Sequence, residues 1–99
     1  MEAAVRAEAR VVTTRAERYL IQLCKHFEHR LPVVRAGAEG SITFPSGTCH
    51  MTADGDLLVL GAHAKDDTLL DQLEQVVSRH LERFAFRDKP EIAWRRLSA

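Results

Sequence analysis

The chain has 99 residues, 45% of them hydrophobic and 28% charged, and its 14 basic and 14 acidic residues sum to zero. That is the mix of a single soluble globular domain, large enough to bury roughly 60 to 70% of its unfolded surface without metal or disulfide staples. Zero net charge argues against a dedicated nucleic-acid binder, and no apolar run approaches the roughly 20 residues that span a bilayer. Met1 to Arg6 carries no apolar signal core, so a cytoplasmic chain with two reduced cysteines is expected rather than a disulfide framework.

Residues 1–8 alternate Ala with Glu and Arg and read as a loose or weakly helical lead-in, leaving residues 9–97 as one domain. Arg10-Val11-Val12-Thr13 is short and β-branched, the pattern of a first strand. Thr14-Arg15-Ala16-Glu17 fits a capping box, and Ala16, Tyr19, Leu20, Leu23, Cys24 and Phe27 then recur at helical spacing. The helix is expected to end near His29, because Pro32 biases Leu31 away from helical angles.

The middle third changes to a period of two. Pro32 to Arg35, Ser41 to Phe44, Thr48 to Ala53 and Leu57 to Ala64 read as strands, with turns at Gly37 to Gly40, Pro45-Ser46-Gly47 and Asp54-Gly55. Closing on Asp54-Gly55 sets Met51 opposite Leu58 and Cys49 opposite Leu60; closing on Ser46-Gly47 sets Phe44 opposite Cys49 and Ile42 opposite Met51. One face then carries Ile42, Phe44, Cys49, Met51, Ala53, Leu58, Leu60 and Ala62. The other carries Ser41, Thr43, Thr48, His50, Thr52, Leu57, Val59 and His63. Asp66-Asp67-Thr68 opens a second helix whose stripe is Leu69, Leu70, Leu73, Val76, Val77, Leu81 and Phe84, with His80 inside it. Asp88-Lys89-Pro90 stops it, and Glu91 to Arg95 reads as a last strand. The expected fold is α+β: an antiparallel meander sheet with two amphipathic helices packed on one face.

Two sets of residues carry the ligand types that chemistry needs. Cys24-Lys25-His26-Phe27-Glu28-His29 suggests an iron or zinc site, but successive helical residues turn about 100°, so Cys24 and His26 diverge by roughly 160° and only His26 and His29 could share an ion. The better set is Cys24, Cys49 and His80, all aimed at the layer between helices and sheet. A thiolate beside an imidazole there would serve redox or metal chemistry. The same residues also fit an inert core, since free cysteine is among the most buried residue types and a core histidine usually satisfies a carbonyl. Arg79, Arg83 and Arg87, with Arg95 and Arg96, form a basic group; Arg83 and Arg87 are the candidate anion contacts, with Glu82, Asp88 and Glu91 near enough to neutralise them. No nucleophile elbow, phosphate loop, dinucleotide motif or paired carboxylates occur in the sequence, so catalysis is not expected.

Three separated motifs carry a resemblance. Tyr19-Leu20 with Gln22-Leu23-Cys24-Lys25-His26-Phe27, then Phe44-Pro45-Ser46-Gly47-Thr48-Cys49, then His80-Leu81-Glu82-Arg83-Phe84-Ala85-Phe86-Arg87 and Trp94 resemble the bacterial family catalogued as domain of unknown function 2218, over about Ala9 to Arg96. Cys24, His26, Phe27, Cys49, His80, Arg83 and Phe84 match positions in that family's motifs. The family occurs alone and appended to flavin-dependent siderophore-interacting reductases. The resemblance therefore implies an accessory or binding protein of siderophore and iron metabolism, with such a reductase as a candidate partner. The alternative is a thiol-redox or metal-binding protein using Cys24, Cys49 and His80, with His26 nearby. A third expectation is a homodimer seeded by Leu57 and Val59 on the solvated sheet face.

Overall fold

The computed structural model describes residues 4–97. Six strands, β1 (Val5–Val12), β2 (Val33–Ala36), β3 (Glu39–Phe44), β4 (Gly47–Asp54), β5 (Leu57–Ala64) and β6 (Trp94–Leu97), form one antiparallel sheet in the order β2-β3-β4-β5-β1-β6. Helices α1 (Ala16–Phe27) and α2 (Asp67–Phe84) pack on one of its faces. The α+β class, the antiparallel sheet and the two helices agree with the sequence reading.

Chain order and spatial order part company at β1. Strands β2 to β5 form the expected meander, but β1 pairs along the far edge of β5, from Val5 opposite Ala64 to Val12 opposite Leu57, and β6 then pairs with β1. The strand starts at Val5, so residues 5–8 belong to the sheet and are not a lead-in. Alternation was present there all along: Ala7, Ala9 and Val11 are buried, while Arg6, Arg10 and Val12 face outward. Small alanines hide the alternation because they bury little area each. Met1 to Ala3 of the expected lead-in lie outside the described residues. The last strand also sits later than expected, at Trp94–Leu97 rather than Glu91 to Arg95.

Both hairpins slip by two residues from the expected register. The loop between β4 and β5 is Gly55-Asp56, so Asp54 pairs with Leu57, Met51 with Leu60 and Cys49 with Ala62. The loop between β3 and β4 is Pro45-Ser46, so Phe44 pairs with Gly47 and Ile42 with Cys49. A slip of two keeps every side chain on its face, and the buried set Ile42, Phe44, Cys49, Met51, Leu58, Leu60 and Ala62 is the expected one. Gly47 explains the second turn: its φ is +153°, and a Cβ there would lie 2.3 Å from the His63 carbonyl oxygen, so only glycine fits.

The helix starts differ in kind. Asp66 caps α2, its Oδ1 accepting from the Leu69 amide at 2.8 Å. The expected capping box at Thr14 is not formed; Arg15 is the cap residue, with no side-chain cap bond. Thr13 takes over the entry. Its hydroxyl accepts from the Arg15 amide at 3.1 Å, and its own amide donates to the Asp56 carbonyl at 2.8 Å. Asp88, just past α2, ties this corner together by accepting from the Tyr19 hydroxyl and from Arg15 at 3.2 Å. At the other edge Trp94 Nε1 donates to Ser78 Oγ at 2.7 Å and Arg96 pairs with Asp67 at 2.9 Å, fastening β6 to α2. Arg96 thus spends its charge on acids of α2, and Arg95 pairs with Glu8 at 3.7 Å, rather than with Glu82, Asp88 or Glu91.

Candidate functional site

The sequence-predicted residues divide into two places. Cys24 and Cys49 are free thiols, both buried in the layer between helices and sheet. Cys24 lies over β3 where Gly40 removes the side chain: a Cβ on Gly40 would stand 2.9 Å from Cys24 Sγ and 3.6 Å from a Leu20 methyl. The glycine lets α1 settle close to the sheet. Cys49 is fully buried on the neighbouring strand, close enough to Cys24 for that thiol to bear on its ionisation. Burial pushes the Cys24 thiol up, with Arg35 pulling it partly back. Burial, with Cys24 beside it, pushes Cys49 up to about 12. A thiol held that high stays protonated near neutral pH, the opposite of an activated nucleophile. The Cys49 Sγ donates one weak hydrogen bond, to the His50 carbonyl oxygen at 3.9 Å.

His80 faces a different set of neighbours. Its Nδ1 lies 2.7 Å from the Val76 carbonyl oxygen, an acceptor, so Nδ1–H donates to it and Nε2 is turned away from that bond. Its ring packs 4.9 Å from His26 and 4.8 Å from Phe27, between centroids. His26 in turn meets Phe27 at 4.8 Å and Phe84 at 5.5 Å, edge to face. Helical phase explains the division. Cys24 and His26 point to opposite sides of α1, as expected from the turn per residue, and the His26 side meets α2 where His80 emerges.

The result is a histidine–aromatic seam between the two helices. It opens into a cleft of about 550 Å³ lined by His26, Phe27, His29, Arg30 and His80. His26 is held below the ordinary histidine range, first by burial against its neighbours, then by the positive fields of His80, Arg83, Arg30 and His29. Arg83 therefore belongs to the same electrostatic neighbourhood. Arg87 lies on the other side of Phe84, its guanidinium 5.5 Å from the Phe86 ring, in a cleft of about 350 Å³ shared with Arg15, Arg18, Tyr19 and Gln22. Among the described residues no group of three or more His, Cys, Asp or Glu side chains is arranged to hold a metal ion.

A second histidine pair escaped the sequence reading. On the uncovered face His50 and His63 approach with their Nε2 atoms 3.3 Å apart, the rings stacked at 5.3 Å and inclined by 20°. His63 pairs with Thr48 and His50 with Gly61, so the two are diagonal neighbours on β4 and β5. The expected register put them further apart; reading the loop as Gly55-Asp56 would have brought them together. Burial, then His50 and Arg6, holds His63 below the ordinary range, which keeps its ring neutral.

No curated protein matches the chain significantly. An NMR structure of PA4090 from Pseudomonas aeruginosa superposes with a TM-score of 0.78 at 33% identity, covering 92% of this chain and 95% of that one. Residues 8–95, from within β1 to within β6, match the family described as an uncharacterised protein conserved in bacteria, DUF2218. A match over nearly the whole sheet and both helices leaves one conclusion: the chain belongs to that family.

Proposed function

We propose that the chain is a small cytoplasmic accessory binding domain of bacterial siderophore and iron metabolism, and that its ligand seat is the seam around His26 and His80. The observation that carries this reading is the cleft itself. Two imidazoles and Arg30 stand beside Phe27 and Phe84, with Arg83 contributing its field. Aromatic edges accept a flat ring, and cationic donors around it favour a carboxylate or catecholate over a neutral group. Iron-binding siderophores supply such groups, and the family resemblance to domains appended to siderophore-interacting reductases supports that class of ligand and that partner. The iron would arrive as part of the ligand.

The test is a titration of untagged protein with iron-free and ferric catecholate siderophores, following the ring resonances of His26 and His80. Saturable shifts of both rings, weakened at least tenfold by His80→Ala, are expected. Titration with no shift in either ring would overturn the reading. The rival reading, thiol-redox or iron- or zinc-binding chemistry at Cys24, Cys49 and His80, draws support from the closeness of the two thiols. Burial holds both thiols in the protonated form, which weighs against it. Rapid modification of either cysteine in the folded chain near neutral pH would reverse that preference.

A further inference from the structure

The uncovered face of the sheet has a built centre. The strand order β2-β3-β4-β5-β1-β6 places three strands on each side of the line between β4 and β5. The His50–His63 pair stands on that line, one imidazole on each strand. Its Nε2 to Nε2 distance of 3.3 Å equals the edge of a tetrahedron around a zinc ion whose Zn–N bonds are about 2.0 to 2.1 Å. Two such edges make a complete tetrahedral set of four nitrogens. One chain supplies one edge.

We propose that the open face is a two-fold interface between two copies of this chain, with His50 and His63 of each copy holding one shared zinc-class ion at its centre. The symmetry axis would run along the strands between β4 and β5, so that each strand on one side of the line faces its mirror position on the other copy. Three rows of the sheet then become complementary. In the row Arg10–Val59–Thr52–Glu39, Arg10 faces Glu39 of the second copy. In the row Glu8–Gly61–His50–Ser41, Gly61 faces His50 of the second copy. In the row Arg6–His63–Thr48–Thr43, arginine and histidine face threonine hydroxyls.

Gly61 is the independent sign that something approaches this face. A Cβ there would touch only the His50 carbonyl oxygen, at 3.9 Å, so the chain's own packing gives no reason for a bare position in mid-strand. Glycine weakens a strand, and its usual use there is to admit a close neighbour. The notch left by Gly61 is where the symmetric His50 would enter. Arg10 is held at its Nε by Glu8, 3.1 Å away, which leaves the rest of its guanidinium fork to face Glu39.

The area explains why a metal is needed. Strands of up to eight residues spaced about 4.8 Å apart give a face on the order of 600 Å², below the roughly 800 Å² per partner of a standard stable interface. Sheet contact alone would give a weak dimer, and four metal–nitrogen bonds would make it a firm one. The site is separate from the helix seam, so neither reading depends on the other.

The experiment uses untagged protein stripped with chelator, then titrated with zinc near pH 7.5 while the mass is followed by sedimentation. A shift from one chain to two, saturating at one zinc per two chains, is expected. His50→Ala and His63→Ala should each raise the dimer dissociation constant at least tenfold. Gly61→Val, at a half-buried position where an added Cβ meets only the His50 carbonyl oxygen at 3.9 Å, should do the same without unfolding the chain. Glu39→Arg should weaken the dimer and Arg10→Glu in the same chain should restore it. One zinc bound per monomer, an association indifferent to chelator or to the histidine variants, or no zinc uptake at micromolar concentrations would each overturn the proposal.

Discussion

Along β4 the side chains alternate between two environments: Cys49 and Met51 enter the helix layer, while Thr48, His50 and Thr52 stand on the uncovered side. On the inner side even groups with chemistry are used as hydrocarbon. Both thiols are buried and driven toward the protonated form, and Gly40 exists to let Cys24 sink toward the sheet. On the outer side the same strands present nitrogens that nothing within the described chain consumes beyond their mutual contact, and Gly61 leaves a gap that no intrachain neighbour fills. The difference teaches that a reactive residue type is not a site. What matters is whether the fold leaves its lone pairs or its proton available.

The sharpest way to probe that contrast is truncation on neighbouring residues of one strand. Leu60 is fully buried and Val59 faces outward, so Leu60→Ala should cost about 2 to 5 kcal/mol while Val59→Ala should cost less than about 1 kcal/mol. Chemical denaturation of the two variants checks it, and similar losses would mean the outer face is packed in solution. The two mid-strand glycines give a smaller contrast. Gly40→Ala should lose about 1 to 3 kcal/mol by driving a methyl into Cys24 Sγ, and adding Cys24→Ala should recover part of the loss. Gly61→Ala should stay within about 0.5 kcal/mol of the parent chain. Equal penalties at the two positions would remove the distinction.

The smallest effect is in pH. His26 and His63 both titrate below the ordinary 6.5 in the folded chain, with burial the first cause in each. Between those lowered values and 6.5 the unfolded chain therefore binds more protons than the folded one. Stability falls as pH drops through that window and is level above it. Unfolding midpoints between pH 7.5 and 5.5 should show the decline, and His63→Gln should flatten it. An unchanged slope in that variant would assign the effect to His26 and the helix seam alone.

How much of this was visible in the sequence depends on the range of the signal. The start of α2 at Asp66-Asp67-Thr68 follows from acidic residues at a helix's positive end, and the strand faces and the inward aim of Cys24 and Cys49 follow from periods of 3.6 and 2; all of these signals are local. The register error of two residues left faces intact because the side-chain period is also two, yet it concealed the His50–His63 contact, which depends on the pairing itself. The place of β1 between β5 and β6 is a long-range choice that no turn residue announces. His80 was expected beside the thiols because its stripe faces the core; the seam was missed because ring contacts between His26 and His80 depend on how α1 and α2 meet, and one helix's periodicity does not contain that.

Arg6 pairs with Leu97, so the first and last strands of the described chain are hydrogen-bonded neighbours. The fold is consequently a ring in connectivity, closed by a ladder instead of a peptide bond. During synthesis β1 emerges before β5, so Ala7, Ala9 and Val11 lack their partner strand until Leu57–Ala64 has been made. Sheet completion is then a late, non-local event of the kind that slows folding. A circular permutant that joins the two ends through a short linker and opens the chain at the exposed Gly37 turn would convert that late encounter into a local hairpin, and the same native structure should form faster.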